Sequence, residues 1–220
     1  MSKRGNAKAN EKPVSLLVLE GDTEQIFYPL IRSKFLQDIR IELRNMKGRG
    51  NVNKDILSEI YKYLYTNSND SVRAYCCVDS ERDQRSATPL DLKLICQKAK
   101  ERKMSRLLSV DQILADPDIE SWFFYDINGI QKFIGARQSQ LSTKKYANPK
   151  NLRKKDLQQL FHRFGKEYMP GKRATNFINK LDMERIALNC GELREGIQLI
   201  ESQAGDLTSR LFPAKKPRGN

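Results

Sequence analysis

Two short apolar runs, each ending in an acidic residue, constrain the fold of this chain more than any other feature. Val14-Ser15-Leu16-Leu17-Val18-Leu19 leads into Glu20, and the run at 72–78 leads into Asp79. A strand with one wet face alternates apolar and polar residues, whereas a nearly unbroken apolar run of this length reads as a strand buried on both faces, as in parallel sheets sandwiched by helices. The intervening segments fit that reading. Gly21 turns the chain, Asp22 or Thr23 offers an N-cap, and Glu24 in the first turn complements the dipole of a helix expected at 24–35. A strand is expected at 40–45, then a glycine-bearing basic loop, Lys47-Gly48-Arg49-Gly50, and an amphipathic helix at 53–65 carrying Ile56, Leu57, Ile60 and Leu64. A helix at 89–102 and a strand at 106–110 complete the alternation. Strands alternating with helices imply βαβ crossovers, so the expected class is α/β: a mostly parallel sheet with helices on both faces.

From Asp116 onward the pattern is helical, with helices expected at 118–125, 129–134, 151–166, 174–181 and 191–202. The organisation expected is an α/β domain at 13–137, a basic helical C-terminal region at 138–210 packed on it, and disordered basic tails at 1–12 and 211–220. The chain of 220 residues carries 40 Lys and Arg against 27 Asp and Glu, a formal charge of +13 that favours polyanionic partners. Much of that excess is local: residues 137–180 hold twelve Lys or Arg against Asp156 and Glu167, a net of +10. The four cysteines, Cys76, Cys77, Cys96 and Cys190, lack both the pairing of a zinc site and the density of a disulfide scaffold, and read as reduced core thiols. No run approaches the length of a membrane span and the first twelve residues have no apolar stretch, so a cytoplasmic location and no membrane partner are expected.

Open parallel sheets bind ligands beyond the carboxyl ends of their strands. Glu20 and Asp79 stand at that edge, and Asp79-Ser80-Glu81-Arg82-Asp83 spaces its carboxylates two apart, so an extended backbone would point all three to one side. Carboxylates gathered at a sheet edge repel one another unless a cation neutralises them, and hard oxygen ligands suit Mg²⁺ or Mn²⁺. Acidic residues after strands are also ordinary turn formers. That explanation serves for Asp83 alone better than for Glu20 and Asp79 together.

The segment LVLEGDTEQIFYPLI, with Glu20, Gly21, Thr23 and Glu24, resembles the first strand and helix of Toprim domains, particularly the small stand-alone RloB-like and OLD-type proteins. The glycine-containing loop at 48–50 and Asp116-Pro117-Asp118-Ile119-Glu120-Ser121-Trp122 are similar to the same group, and Gly171-Lys172-Arg173-Ala174 is a weaker echo. One departure is plain: the D-x-D motif of that group stands here as Asp79-Ser80-Glu81, so either Glu81 replaces the second aspartate or the register shifts to Asp83.

The resemblance implies a Toprim-like fold and a metal-dependent nuclease acting on DNA or RNA with Mg²⁺ or Mn²⁺, in phage or plasmid defence, as the effector subunit beside an ATPase partner. By the same resemblance Glu20 and Asp79 are metal ligands, with Glu20 alternatively a general acid or base; Glu81 and Asp83 complete the set; and Glu24 and Glu120 are secondary ligands. Lys172 and Arg173 are placed to stabilise the scissile phosphate. This chain has no Walker A loop of its own, so any ATP dependence lies in the partner. The nucleic-acid surface is expected to draw on Arg49, Lys144, Lys145, Arg153, Lys154, Lys155, Lys172 and Arg173, and a homo-oligomer is compatible with the pattern. His162, the only histidine, is expected at the surface and Trp122, the only tryptophan, in the core. The competing expectation is a non-catalytic nucleic-acid-binding or assembly subunit with a degenerate site, supported by the Asp79-x-Glu81 departure.

Overall fold

The computed structural model describes residues 12–48, 50–80, 89–141 and 145–205. Its sheet has four strands, all parallel, in the order β2-β1-β3-β4, formed by β1 (Val14–Leu19), β2 (Ile41–Asn45), β3 (Val72–Asp79) and β4 (Leu107–Ala115). The expected class is therefore what is observed: α/β, parallel, with helices on both faces, consistent with the Toprim-like architecture.

The unbroken apolar runs are explained by the pleat, which sends successive side chains to opposite faces. Leu17 and Leu19 of β1, Tyr75 and Cys77 of β3, and Ile113 and Ala115 of β4 face one core, whereas Leu16, Val18, Ala74, Cys76 and Val78 face the other. The second core is closed by α2 (Val52–Thr66) and α3 (Leu92–Glu101). The first is larger. It is closed by α1 (Asp22–Phe35), α4 (Ile119–Phe123), α5 (Ile127–Ile134), α6 (Lys154–Arg163), α7 (Thr175–Ile178), α8 (Met183–Asn189) and α9 (Gly191–Gln203). Aromatic rings knit these helices together, with Phe177 making tilted or edge-on contacts to Phe123, Phe133, Phe161 and Tyr168. Trp122 is buried here and His162 is exposed, as expected. The cysteines are free thiols, three buried and Cys96 half-buried. No helix among the described residues is long and apolar enough to cross a membrane.

Several boundaries differ from expectation for identifiable reasons. The N-cap of α1 is Gly21, not Asp22 or Thr23, because the Glu24 carboxylate reaches back and accepts from the Gly21 N–H at 3.1 Å. β4 continues to Ala115 instead of ending at Val110; its polar residues Asp111 and Gln112 are tolerated on a strand at the sheet edge. The basic helix expected at 151–166 is confined to α6, which starts where Asp156 accepts from the Arg153 N–H at 3.0 Å. The helix expected at 174–181 is the short α7, preceded by a 3₁₀ turn at Gly171–Ala174. α8 was not expected at all, although Asp182 caps it by accepting from the Arg185 N–H at 3.0 Å.

α9 lies against β4 at close range. A Cβ built on Gly196 would stand 2.8 Å from the Ile113 side chain, so the helix approaches the strand only because this position lacks one. Replacing Gly196 with Val is expected to cost about 1–3 kcal/mol by overpacking, lowering the melting temperature by at least ~2 °C. Adding Ile113→Ala should recover part of that loss; an unchanged melting temperature in Gly196→Val would refute the close packing.

Candidate metal centre

Strand register sets the geometry of the site. β1 and β3 pair from Val14↔Val72 to Leu19↔Cys77, so Glu20 and Asp79 emerge together at the carboxyl edge of the two central strands. The Glu20 N–H continues the ladder to the Cys77 carbonyl at 3.1 Å, and the Glu20 carboxylate in turn accepts from the Asp79 N–H at 3.1 Å. The Asp79 carboxylate accepts from the N–H of Ile119 at 2.9 Å, in the first turn of α4, which docks that helix on the sheet edge.

Two further carboxylates arrive from the helices. Glu24 is buried in the first turn of α1, and Glu120, 3% exposed, lies in the first turn of α4, where the Tyr168 hydroxyl donates to it at 3.0 Å. Glu20, Glu24, Asp79 and Glu120 line one cleft of about 770 Å³, with Lys154 and Lys172 in the same wall set. Lys154 is brought there by Asp118, which caps α4 through the Ser121 N–H and accepts from the Lys154 N–H with its other oxygen, both at 3.0 Å. Lys172 is brought there by Gly171, whose left-handed φ of 72° and N–H bond to Thr23 Oγ1 at 3.0 Å press the turn onto α1. A Cβ on Gly171 would stand 3.2 Å from the Cβ of Asp22, so glycine is favoured here on both counts.

The electrostatics are those of like charges forced together. Burial pushes Glu24 up to about 7, with repulsion from Glu120 and Glu20 adding to it. Burial also pushes Glu120 up to about 7, helped by Asp118 and opposed by the Lys154 ammonium and the Tyr168 hydroxyl. Asp79 is raised well above the carboxylate range by burial first, then by Glu24, Glu120 and Glu20. The donor set is hard carboxyl oxygen, the chemistry that suits Mg²⁺ or Mn²⁺. Among the described residues, no three acidic, histidine or cysteine side chains are already grouped as ligands of a single ion. Mg²⁺ does not require such a cage, since it commonly keeps several waters and is held by one or two carboxylates together with phosphate oxygens of a substrate.

Of the residues expected at the site, Glu20, Glu24, Asp79, Glu120, Lys154 and Lys172 share the cleft. Arg173 contacts Met169 Sδ, Lys145 lies over the Tyr146 ring, and Lys155 is exposed at the start of α6; none of these three lines it. Arg153 caps α6 through its backbone and does not line the cleft either. Glu81, Asp83, Arg49 and Lys144 lie outside the described residues. The basic loop that begins at Lys47 reaches the cleft, with Lys47 and Gly48 in its wall, whereas sequence reasoning missed Tyr168, Asp118 and Asn45. Asn45 could have been suspected from its place at the end of β2, where its amide donates to Asp22 and Gln25 at 2.8 and 2.9 Å. Tyr168 carried no local signal.

Comparison with protein-family models, with curated proteins and with solved structures gave no match. The class of the chain is thus defined by what its fold and cleft contain: a parallel α/β chain with an acidic cleft at its carboxyl sheet edge.

Raised carboxyl pKa values mean that the folded chain retains protons which the unfolded chain has released between the ordinary carboxylate range and about 7. Stability contributed by these groups therefore falls as pH rises through that window and is level above it. In EDTA, the melting temperature of Glu24→Gln minus that of the parent should grow from pH 5 to pH 7.5, reaching ~2 °C or more. A difference that is flat or shrinks with pH would contradict the crowding of these carboxylates.

Proposed function

We propose that the chain is a Toprim-type nuclease that cleaves phosphodiester bonds of DNA or RNA with Mg²⁺ or Mn²⁺. The observation that carries this reading is the convergence of Glu20, Glu24, Asp79 and Glu120 from three different parts of the chain on a cleft that Lys154 and Lys172 also line. A divalent ion, when bound, would supply charge neutralisation at the phosphate and a more acidic bound water. Glu20 and Asp79 are the residues to hold it, with Glu24 and Glu120 as further oxygen donors and Glu81 and Asp83 as candidates by sequence.

The chain's own groups account for the rest of the chemistry. Lys172 and Lys154 attract the phosphate and offset charge that accumulates on its oxygens. Glu24 or Glu120, whichever does not hold the ion, is placed in the cleft to take a proton from an attacking water or return one to the leaving oxygen. The anchors to Gly21 and Tyr168 fix where those carboxylates can act. The wider basic surface at 137–180 holds the nucleic-acid backbone, a contact strongly sensitive to salt. We place the protein in phage or plasmid defence, with an ATPase partner that restrains or triggers it; these two elements rest on the resemblance of the segment at Glu20–Glu24.

One observation favours the alternative of a non-catalytic nucleic-acid-binding subunit. The four carboxylates each accept a hydrogen bond from within the protein, and no ready three-ligand group exists among the described residues. Assays on plasmid DNA and on structured RNA, with and without Mg²⁺ or Mn²⁺, separate the two readings. The nuclease reading predicts metal-dependent cleavage reduced about 100-fold or more by Glu20→Ala or Asp79→Ala, with binding in EDTA retained. Lys172→Ala should reduce it about tenfold or more. Cleavage that survives both acidic substitutions would sink the site assignment, and binding without any cleavage, alone or with the co-purified partner, would select the alternative.

A further inference from the structure

The end of the sheet opposite the acidic cleft carries a second surface with its own chemistry. α2 turns Ile56, Ile60, Tyr63 and Leu64 inward, yet on its outer side it presents Tyr61 and Tyr65 one turn apart, 47% and 77% exposed. Their rings stack on each other, with centroids 6.3 Å apart and planes inclined by 21°. Large aromatic rings left this open give up burial that a neighbouring position on the same helix would provide.

The turn between α3 and β4 stands beside them. Tyr61 and Tyr65 border a groove of about 170 Å³ floored by Leu64 and Met104 and rimmed by Arg102, Lys103 and Arg106. Arg106 is structural: its guanidinium donates to the carbonyls of Leu64 and Asn67 at the end of α2, at 2.5 and 2.6 Å. Arg102 and Lys103 are exposed and make no ion pair among the described residues. Glu101 pairs with Lys98 at 2.9 Å, with Arg102 acting on it only at longer range, and Glu59 on α2 pairs with Lys62 at 2.6 Å. Lys103 also occupies the position after a helix end where glycine is usual. Its φ is 52°, and the N–H groups of Lys103 and Met104 close onto the carbonyls of Lys100 and Ala99 at 2.9 and 3.0 Å. A lysine in that left-handed conformation is mildly strained and is carried outward on a rigid turn.

From this juxtaposition we infer that Tyr61, Tyr65, Arg102 and Lys103 form an accessory binding site for single-stranded nucleic acid, with bases stacking on the tyrosines and phosphates held by the two cations. Unpaired bases offer π faces that a duplex hides, and an exposed aromatic platform with a cationic rim is the complement of such a strand. Strand β3 separates this surface from Asp79 by roughly 25 Å, at about 3.3 Å per residue, so a strand could be held here independently of the cleft. No metal and no cleavage enters the inference, which therefore stands apart from the proposed nuclease activity.

The test uses the full chain in EDTA with a fluorescein-labelled oligothymidylate of about 12 nucleotides, followed by fluorescence anisotropy, and a duplex of equal length in parallel. Tyr61→Ala with Tyr65→Ala should weaken binding of the single strand about tenfold or more while leaving the duplex within about twofold. Tyr61→Phe with Tyr65→Phe should retain the single strand, and Arg102→Glu with Lys103→Gly should weaken it and reduce the salt slope by about two. Photocrosslinking with a 5-iodouracil oligonucleotide should label Tyr61 or Tyr65. The inference is overturned if the alanine pair binds the single strand like the parent, if crosslinks fall only elsewhere, or if the pair instead changes the sedimentation mass of the free chain, which would make this face a contact between copies.

Discussion

Backbone pairing between β1 and β3 holds the acidic cleft in being. Because the two strands run parallel and in step up to Leu19 and Cys77, Glu20 and Asp79 have to leave the sheet side by side, and the Asp79 N–H is then within reach of the Glu20 carboxylate. The helices follow from the same edge. α1 begins one residue beyond Gly21, and α4 begins where Asp79 accepts from Ile119, so Glu24 and Glu120 are delivered by the first turns of helices whose starts the strands determine. A shift of β1 by one residue would exchange its two faces and dissolve both cores along with the cleft.

Holding four carboxylates around one cleft works against folding, and the structure shows what offsets it. The large aromatic core around Phe177 and Trp122 anchors α4, α6 and α7, and the hydrogen bonds to Gly21, Ile119 and Tyr168 give individual carboxylates fixed donors. Protonation removes part of the remaining repulsion, as the raised values of Glu24 and Glu120 indicate. A divalent cation would remove more of it. The lysines enter from the C-terminal helical segments, Lys154 through Asp118 and Lys172 through the Gly171 turn against Thr23.

The strands and their acidic ends were legible in the sequence because burial on both faces leaves an unmistakable apolar run, and Glu20 and Asp79 terminate two of them. Glu24 was legible as a first-turn acid, but not its return to the Gly21 N–H, since the cap lies at Gly21, before the side chains of Asp22 and Thr23 that suggest one. Lys154 was readable only as one cation in a basic stretch. Its place in the cleft depends on Asp118, 36 residues away, and Tyr168 meets Glu120 across 48 residues; no local pattern encodes such contacts. α8 escaped notice because seven residues hold too few turns to display a helical period, even with Asp182 as its cap.

The claim that this edge of the sheet is a divalent-metal centre is tested most directly by electron paramagnetic resonance of Mn²⁺ titrated into the metal-free chain. The parent should remove the signal of free Mn²⁺ at sub-millimolar concentration, and Asp79→Asn and Glu20→Gln, shown to be folded, should each weaken binding by about tenfold or more. Mn²⁺ that stays free in the presence of the parent, or binds the two variants as it binds the parent, would contradict the claim.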